Sequence, residues 1–430
     1  MNILSAEIIA VGSELLTPDR TDTNSLWLTR ELNDIGVEVM LKTVVGDDEA
    51  RLEEAIRDAL KRSDIVITTG GLGPTEDDIT RQVSARAVGR GMVYHDHLEA
   101  NLLERFRGWG HEMPEINKRQ AFVIEGAEIL PNPNGSAVGM MLEPDGRFLV
   151  VLPGPPRELQ PMFDTFVLPR LKEKAGEVVV RRRHLRVAGL GESALDEAIA
   201  PIYKAYPKVQ TSILFNKSEI EVQLAAHFDS PSEADGVLDE VVRRIDEKLG
   251  DAVFAHNGEL MEEVVGKMLA AENLTLAVAE SCTGGLIAMR LTDVPGSSGY
   301  FLEGAVTYSN DAKVRSLGVS PETLNEHGAV SAETAEQMAA GMRERAGTDY
   351  AISVTGVAGP GGGSDEKPVG TVFVGFADRS GVRSTRLALP GDRFLIRWRS
   401  SQAALDYLRR QLLRRQRQSN PQPNAGRPQG

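Results

Sequence analysis

Asp64-Ile65-Val66-Ile67-Thr68-Thr69-Gly70-Gly71-Leu72-Gly73-Pro74-Thr75-Glu76-Asp77-Asp78-Ile79-Thr80 opens as a strand, passes through a glycine-rich loop and enters a helix. Such a loop lets backbone amides approach an anion, and the dipole of the following helix adds to the attraction, so phosphate is the natural ligand. Glu76, Asp77 and Asp78 would repel a bare phosphate, which makes sense if one or more of them holds a divalent cation that bridges to it. The structural alternative is a βα turn whose acids cap the helix, and the segment by itself does not separate the two.

Outward from this stretch, strand and helix patterns alternate as in a parallel α/β sheet. Ala6 to Val11, Val37 to Val45, Ile65 to Thr69 and Phe148 to Leu152 read as strands, with amphipathic helices at Thr23 to Ile35 and Asp48 to Lys61. In such a sheet the loops that follow the strands gather at one edge, where ligands bind. Three more segments belong to that edge: Val11-Gly12-Ser13-Glu14, the polar turn Asn132-Pro133-Asn134-Gly135-Ser136-Ala137, and Leu152-Pro153-Gly154-Pro155-Pro156.

The chain has 430 residues, too many for one ordinary hydrophobic core. The pattern divides it into 1–172 (α/β), 173–255 (a small α+β module starting with a strand from Glu177 to Val187), 256–416 (a second α/β domain) and 417–430. The last stretch is rich in Pro, Gly and Gln and reads as a disordered tail. The middle module holds few catalytic candidates and reads as a spacer or dimerisation element. Hydrophobic residues make up 41% and charged residues 26%, a globular composition. A single cysteine, Cys282, excludes an internal disulfide and a cysteine-based zinc site. There is no secretory pattern at the N-terminus and no apolar run near the roughly 18 residues of a membrane span, so a cytoplasmic protein without a membrane partner is expected. The formal net charge of −14 makes nucleic acid a poor partner. Arginine clusters at Arg181 to Arg183 and from Arg409 to Arg417 read as solvated surface.

In the third unit the strand Leu274 to Ala279 ends in Glu280, and Ser281-Cys282-Thr283-Gly284-Gly285 starts the helix Leu286 to Leu291. A serine at a sharp strand-to-helix turn is held exposed, and amides at the helix start can stabilise an oxyanion or a phosphate. The plain alternative is that Ser281 and Thr283 cap the helix. The only nearby histidine in sequence, His327, falls in a loop, so lysine is the candidate base: Val306-Thr307-Tyr308-Ser309-Asn310-Asp311-Ala312-Lys313 ends another strand and presents Tyr308 and Lys313 together. A partly buried lysine loses proton affinity and can accept a proton from serine. Val354-Thr355-Gly356 with the glycine-rich run to Gly363, and Pro295-Gly296-Ser297-Ser298-Gly299, supply two more loops. Cys282, with a sulfur next to the serine, reads as structural.

These motifs resemble a known family. The first 172 residues are similar to the molybdopterin-binding fold of molybdenum-cofactor biosynthesis proteins. Gly-Leu-Gly-Pro-Thr-Glu-Asp-Asp (71–78) and Leu-Pro-Gly-Pro-Pro-Arg-Glu-Leu (152–159) look like the N-terminal domain of the CinA family. Cofactor-biosynthesis relatives usually carry Arg-Asp at Asp77-Asp78, which argues against molybdopterin as the ligand. The likeness runs over about 1–413 and implies a three-layer molybdopterin-binding-like domain, a KH-like middle module and an α/β amidohydrolase domain, assembled as a homodimer. For the N-terminal domain it implies metal-dependent hydrolysis of ADP-ribose, with Asp77, Asp78 and Glu14 on a divalent ion (Mg, Mn or Co) and Gly70, Gly71 and Gly73 around the phosphates. For the C-terminal domain it implies deamidation of nicotinamide mononucleotide without a cofactor. Ser281 is then the nucleophile, Tyr308 and Lys313 its activating partners, and Ser298 and Thr355 auxiliary groups. Gly284, Gly285 and Gly356 would line the substrate, with Arg393 or Arg397 on its phosphate. A reading of another class stays open: a non-catalytic regulatory or binding protein linked to DNA uptake or damage, or a chain with only one active site.

Overall fold

Along β1 (Ser5–Val11), Ala6 and Ile8 enter one core while Ile9 and Val11 enter another, so the strand is buried on both faces. The computed structural model describes residues 4–108, 110–176, 179–228 and 230–419. The chain up to Arg181, with His227–Asp235, forms one compact unit; Arg182–Ala226 and the chain from Gly236 onward form a second.

In the first unit six strands take the order β2-β1-β3-β6-β5-β4, with β2 Glu38–Val45, β3 Ile65–Thr69, β4 Glu128–Leu130, β5 Gly139–Leu142 and β6 Phe148–Leu152. The sheet is mixed, since β5 runs antiparallel to both its neighbours, β6 of the parallel set β2-β1-β3-β6 and the edge strand β4. The sequence pattern had pointed to parallel strands alone; β4 and β5, at three and four residues, are too short to carry a period of their own. Helix α1 (Thr23–Asp34), capped by Asp22 on the Ser25 amide, covers one face through Leu28 and Leu32. Helices α2 (Glu49–Arg62) and α3 (Thr80–Ala87) cover the other through Leu52, Ile56 and Val83. This is the three-layer, molybdopterin-binding-like arrangement.

The middle module is KH-like. It contains β7 (Val179–Ala188), α4 (Glu192–Tyr203), β8 (Val209–Asn216), β9 (Glu219–Phe228), α5 (Pro231–Leu249) and β10 (Val253–Ala255), with sheet order β8-β9-β7-β10. Of the expected strand start, Glu177 and Val178 lie outside the described residues.

The C-terminal domain follows with α6 (Met261–Ala271), β11 (Leu276–Glu280), α7 (Leu286–Thr292), β12 (Phe301–Val306), α8 (Asn310–Leu317), α9 (Ala332–Ala346), β13 (Tyr350–Gly356), β14 (Thr371–Asp378), β15 (Gly381–Ala388) and α10 (Arg393–Ser419). Its sheet order is β12-β11-β13-β14-β15, with β12, β11 and β13 parallel. Leu276, Val278, Ile352 and Val354 pack on one face with α6 and α10, and small residues, Ala277, Ala279 and Ala351, occupy the other. That small face admits α9 closely: a Cβ on Gly375 would sit 2.3 Å from the Ala335 carbonyl oxygen. The expected disordered tail, 417–430, is helical in its first residues, because α10 continues through Ser419, held by Arg417 on Asp251; 420–430 lie outside the described residues. The basic clusters are paired: Arg183 with Asp239, Arg410 with Asp406 and Arg415 with Glu272 lie at least partly exposed, whereas Arg409, expected at the surface, is buried and pairs with Asp406. Among the described residues no helix is long and apolar enough to cross a membrane.

Candidate functional site

Strand register decides what meets Ser281. Glu280 pairs with Val306 on one side and Val354 on the other, so the next residues along the parallel strands, Ser281, Thr307 and Thr355, lie side by side at the sheet edge. The Ser281 amide donates to the Val354 carbonyl at 2.9 Å and the Thr307 amide to the Glu280 carbonyl at 2.8 Å. The chain then turns through Gly284 and Gly285, both left-handed at φ 63° and 91°, a conformation open to glycine at little cost.

The turn is locked by Glu280, whose side chain is 1% exposed. Its carboxylate accepts from the amides of Gly285, Ile287 and Ala288 at 3.0, 3.2 and 2.9 Å, capping α7. Sequence reasoning placed Glu280 at the strand end without giving it a role; an acid just before a helix start is the signal that would have found it. It also corrects an expectation, since those helix-start amides are already engaged and not open to an oxyanion. Among the described residues the turn amides of Cys282 and Thr283 have no acceptor in another residue.

Lys313, in the first turn of α8, is 1% exposed. Its Nζ lies 3.1 Å from Ser281 Oγ and 2.9 Å from the Thr307 carbonyl oxygen, and among the described residues no carboxylate pairs with it. Burial therefore pulls the ammonium pKa below its ordinary 10.5. In the neutral state the amine donates one proton to Thr307 O and offers its lone pair to the Ser281 hydroxyl. Burial acts oppositely on Cys282, pushing its thiol up to about 12, and the side chain packs in the core. A thiol so held is protonated at neutral pH.

Tyr308 is 60% exposed, and its hydroxyl receives a hydrogen bond from Arg393 at 2.9 Å, so Lys313 reaches Ser281 directly and not through the tyrosine. Arg393 also donates to the Gly359 carbonyl at 2.8 Å, and Arg397, one turn on, donates to the Thr283 carbonyl at 2.8 Å. Both arginines thus join the loops that hold Ser281, Tyr308 and Gly356. The Thr355 hydroxyl is turned away, donating to the Ala329 carbonyl at 2.6 Å. Ser298 is exposed in the turn Ser297–Gly299, and no described hydrogen bond ties it to Ser281, Lys313 or Tyr308. The hydroxyls of Thr283 and Thr307 are buried without a partner, atoms that a polar substrate or water would satisfy.

In the first unit the loops after β1, β3 and β6 line a cleft of about 600 Å³ with Glu14, Asn24, Gly70, Gly71, Gly73 and Asp78 on its walls. Asn24 donates to Thr69 Oγ1 and the Gly154 carbonyl, and among the described residues its own buried carbonyl oxygen has no partner. The expected metal ligands do not assemble. Asp78 spends both oxygens on the loop, accepting from the amides of Gly73 and Thr75 at 2.8 and 2.9 Å and from the Thr75 hydroxyl at 2.5 Å. Asp77 is not part of the cleft wall. Among the described residues no three His, Cys, Asp or Glu side chains group closely enough to hold a metal ion. The donor set as arranged does not fit a divalent cation, and Asp78 acts as a loop latch.

Three family models match the chain: a probable molybdopterin binding domain over 7–173, the damage-inducible protein CinA KH domain over 182–255 and the CinA C-terminal domain over 258–412. The chain is 51% identical to a CinA-like protein of Solibacter usitatus over 95% of this chain and 98% of that protein. It is 43% identical to a putative competence-damage inducible protein of Caldicellulosiruptor bescii over 95% and 99%. Among solved structures it is similar to the competence/damage inducible protein CihA from Agrobacterium tumefaciens, with 43% identity, a TM-score of 0.34, and coverage of 35% of this chain and 96% of that one.

Proposed function

The chain belongs to the CinA family, and from that premise we propose that its C-terminal domain hydrolyses the carboxamide of nicotinamide mononucleotide to nicotinic acid mononucleotide and ammonia. The observation that carries the proposal is a buried lysine amine, free of any carboxylate, 3.1 Å from a serine hydroxyl at a strand-to-helix turn.

In this reading Lys313 takes the Ser281 proton as Oγ attacks the carboxamide carbon. Electrons move onto the carbonyl oxygen, which the amides of Cys282 and Thr283 receive. Collapse of that adduct expels the nitrogen, to which the Lys313 ammonium returns its proton, giving ammonia and an ester of Ser281. Water, deprotonated by the same amine, attacks the ester; the Lys313 ammonium returns that proton to Ser281 Oγ as it leaves, and the acid departs as the carboxylate with its proton lost to solvent. Arg393 and Arg397 keep guanidinium protons beyond those spent on the loops and take the phosphate. The reaction as written calls on no metal.

For the N-terminal cleft we propose binding of a nucleotide diphosphate such as ADP-ribose, supported by the Gly70–Gly73 loop and the unpartnered Asn24 oxygen. Since Glu14, Asp77 and Asp78 do not form a ligand set, no hydrolytic step is assigned there. The test is to incubate the full chain with nicotinamide mononucleotide and, separately, ADP-ribose, each with and without EDTA. Ammonia from the first, unaffected by EDTA, is expected; its absence removes the deamidase reading.

A further inference from the structure

The middle module matches a KH model, yet over 182–255 the sequence contains no Gly-x-x-Gly, the loop with which KH folds clamp a nucleic-acid backbone. What it does present is the hairpin between β8 and β9, whose Asn216 and Glu219 pair across the two-residue turn Lys217-Ser218.

That hairpin grips α10. Lys217 Nζ stands 3.8 Å from the centroid of the Trp398 ring and 5.8 Å from that of Phe394, one helical turn earlier. The Lys217 carbonyl accepts from Arg399 Nε at 3.1 Å. Trp398 carries a second cation, the Arg290 guanidinium at 4.9 Å. Below the turn, Gln402 Nε2 donates to Glu219 at 3.0 Å, and Arg290 donates to Gln402 at 2.5 Å and to Glu262 at 2.7 Å. Arg186 from β7 closes on Glu219 as well. Apart from Phe394, which is exposed, these groups are buried or half-buried, so the chain of contacts is costly to leave unpaired and fixes α10 in register and rotation.

The residues gripped are interleaved with those that reach the serine site. Phe394 and Trp398 take the hairpin, while Arg393 and Arg397, their immediate neighbours and likewise one turn apart, donate to Tyr308, Gly359 and Thr283. We infer that the KH-like module is a clamp on α10, with Lys217 a positioning residue that sets Arg393 and Arg397 for the phosphate of the substrate. The assignment of that phosphate rests on the deamidase reading above; the clamp itself rests on the contacts of Lys217 and Trp398.

The experiment uses the full chain. Steady-state ammonia release by Lys217→Ala should show KM for nicotinamide mononucleotide raised by about fivefold, the factor a cation–π contact of moderate strength supplies, with kcat held within about twofold. Lys217→Arg, which keeps the cation over the ring, should restore KM. A readout independent of turnover comes from Trp398, the only tryptophan left in a Trp27→Phe, Trp109→Phe background. Its emission should respond to inorganic phosphate, with half-saturation about fivefold higher once Lys217→Ala is added. An unchanged KM and half-saturation, a loss of kcat matching the rise in KM, or turnover by a protein whose Trp398 ignores phosphate each overturns the clamp. A phosphate response that shifts with Lys217 in a protein that releases no ammonia supports the clamp and removes the deamidase reading instead.

Discussion

Replacing Lys313 with methionine removes the amine while filling nearly the same volume. Two quantities then move by different amounts. A positioned general base contributes about 10²- to 10⁴-fold, or about 3–5 kcal/mol of barrier, so kcat for ammonia release should fall by at least about a hundredfold. Stability should hardly change. The Thr307 carbonyl loses its donor, at about 1–3 kcal/mol, while the cost of burying an amine with no carboxylate partner disappears. The net is within about 2 kcal/mol, which thermal unfolding resolves. pH adds a second signature. Burial lowers the Lys313 pKa, so wild-type activity should rise with pH toward that lowered value and level off above it. Between the lowered pKa and 10.5 the unfolded chain binds the proton that the folded chain does not. Wild-type stability should therefore gain on that of Lys313→Met as pH rises through this interval, the lysine's cost being full below it. A Lys313→Met protein that is folded and keeps more than about a tenth of wild-type kcat would refute the base assignment.

Other substitutions separate the roles of neighbouring groups. Glu280→Ala releases three amides from a buried carboxylate and should cost about 2–4 kcal/mol by thermal or denaturant unfolding, with ammonia release lost in parallel; a neutral effect on stability would remove Glu280 as the lock of the turn. Tyr308→Phe takes an acceptor from Arg393 and should raise KM by about three- to tenfold with kcat nearly intact, whereas a kcat loss of about a hundredfold would make the tyrosine the proton carrier. Asp78→Ala should loosen the Gly73–Thr75 loop, costing the first unit about 2–3 kcal/mol and weakening ADP-ribose binding by calorimetry, while ammonia release stays unchanged; unaltered ADP-ribose affinity would detach the loop from the ligand.

Where the sequence was informative, it was so through spacing. The alternation of Ile8 with Ile9 and Val11, and of Leu276 and Val278 with Ala277 and Ala279, marks strands buried on two faces, and the glycines at 70–73 and 284–285 mark the turns that leave them. The pairing of Ser281 with Lys313 was also legible, because both follow strands that a parallel sheet ends at one edge. What a carboxylate does there was legible only as the helix-start position of Glu280. Asp78 and Glu280 each stand beside a helix start, and only geometry shows that both are spent on backbone amides, the first where a metal was expected. Tyr308 and Thr355 sit where the strands place them, but the partners of their hydroxyls, Arg393 and the Ala329 carbonyl, come from distant segments with no local signal. The same is true of Lys217, an unremarkable turn residue until α10 is laid against it.

The central claim is that Ser281, not the sulfur beside it, is the nucleophile of an amidohydrolase. Ser281→Ala and Cys282→Ala should be assayed side by side with the wild type for ammonia release from nicotinamide mononucleotide, in EDTA. The account predicts release by the wild type and by Cys282→Ala at comparable rates, and a fall of at least about a thousandfold in Ser281→Ala. An active Ser281→Ala protein, with Cys282→Ala inert, would contradict it.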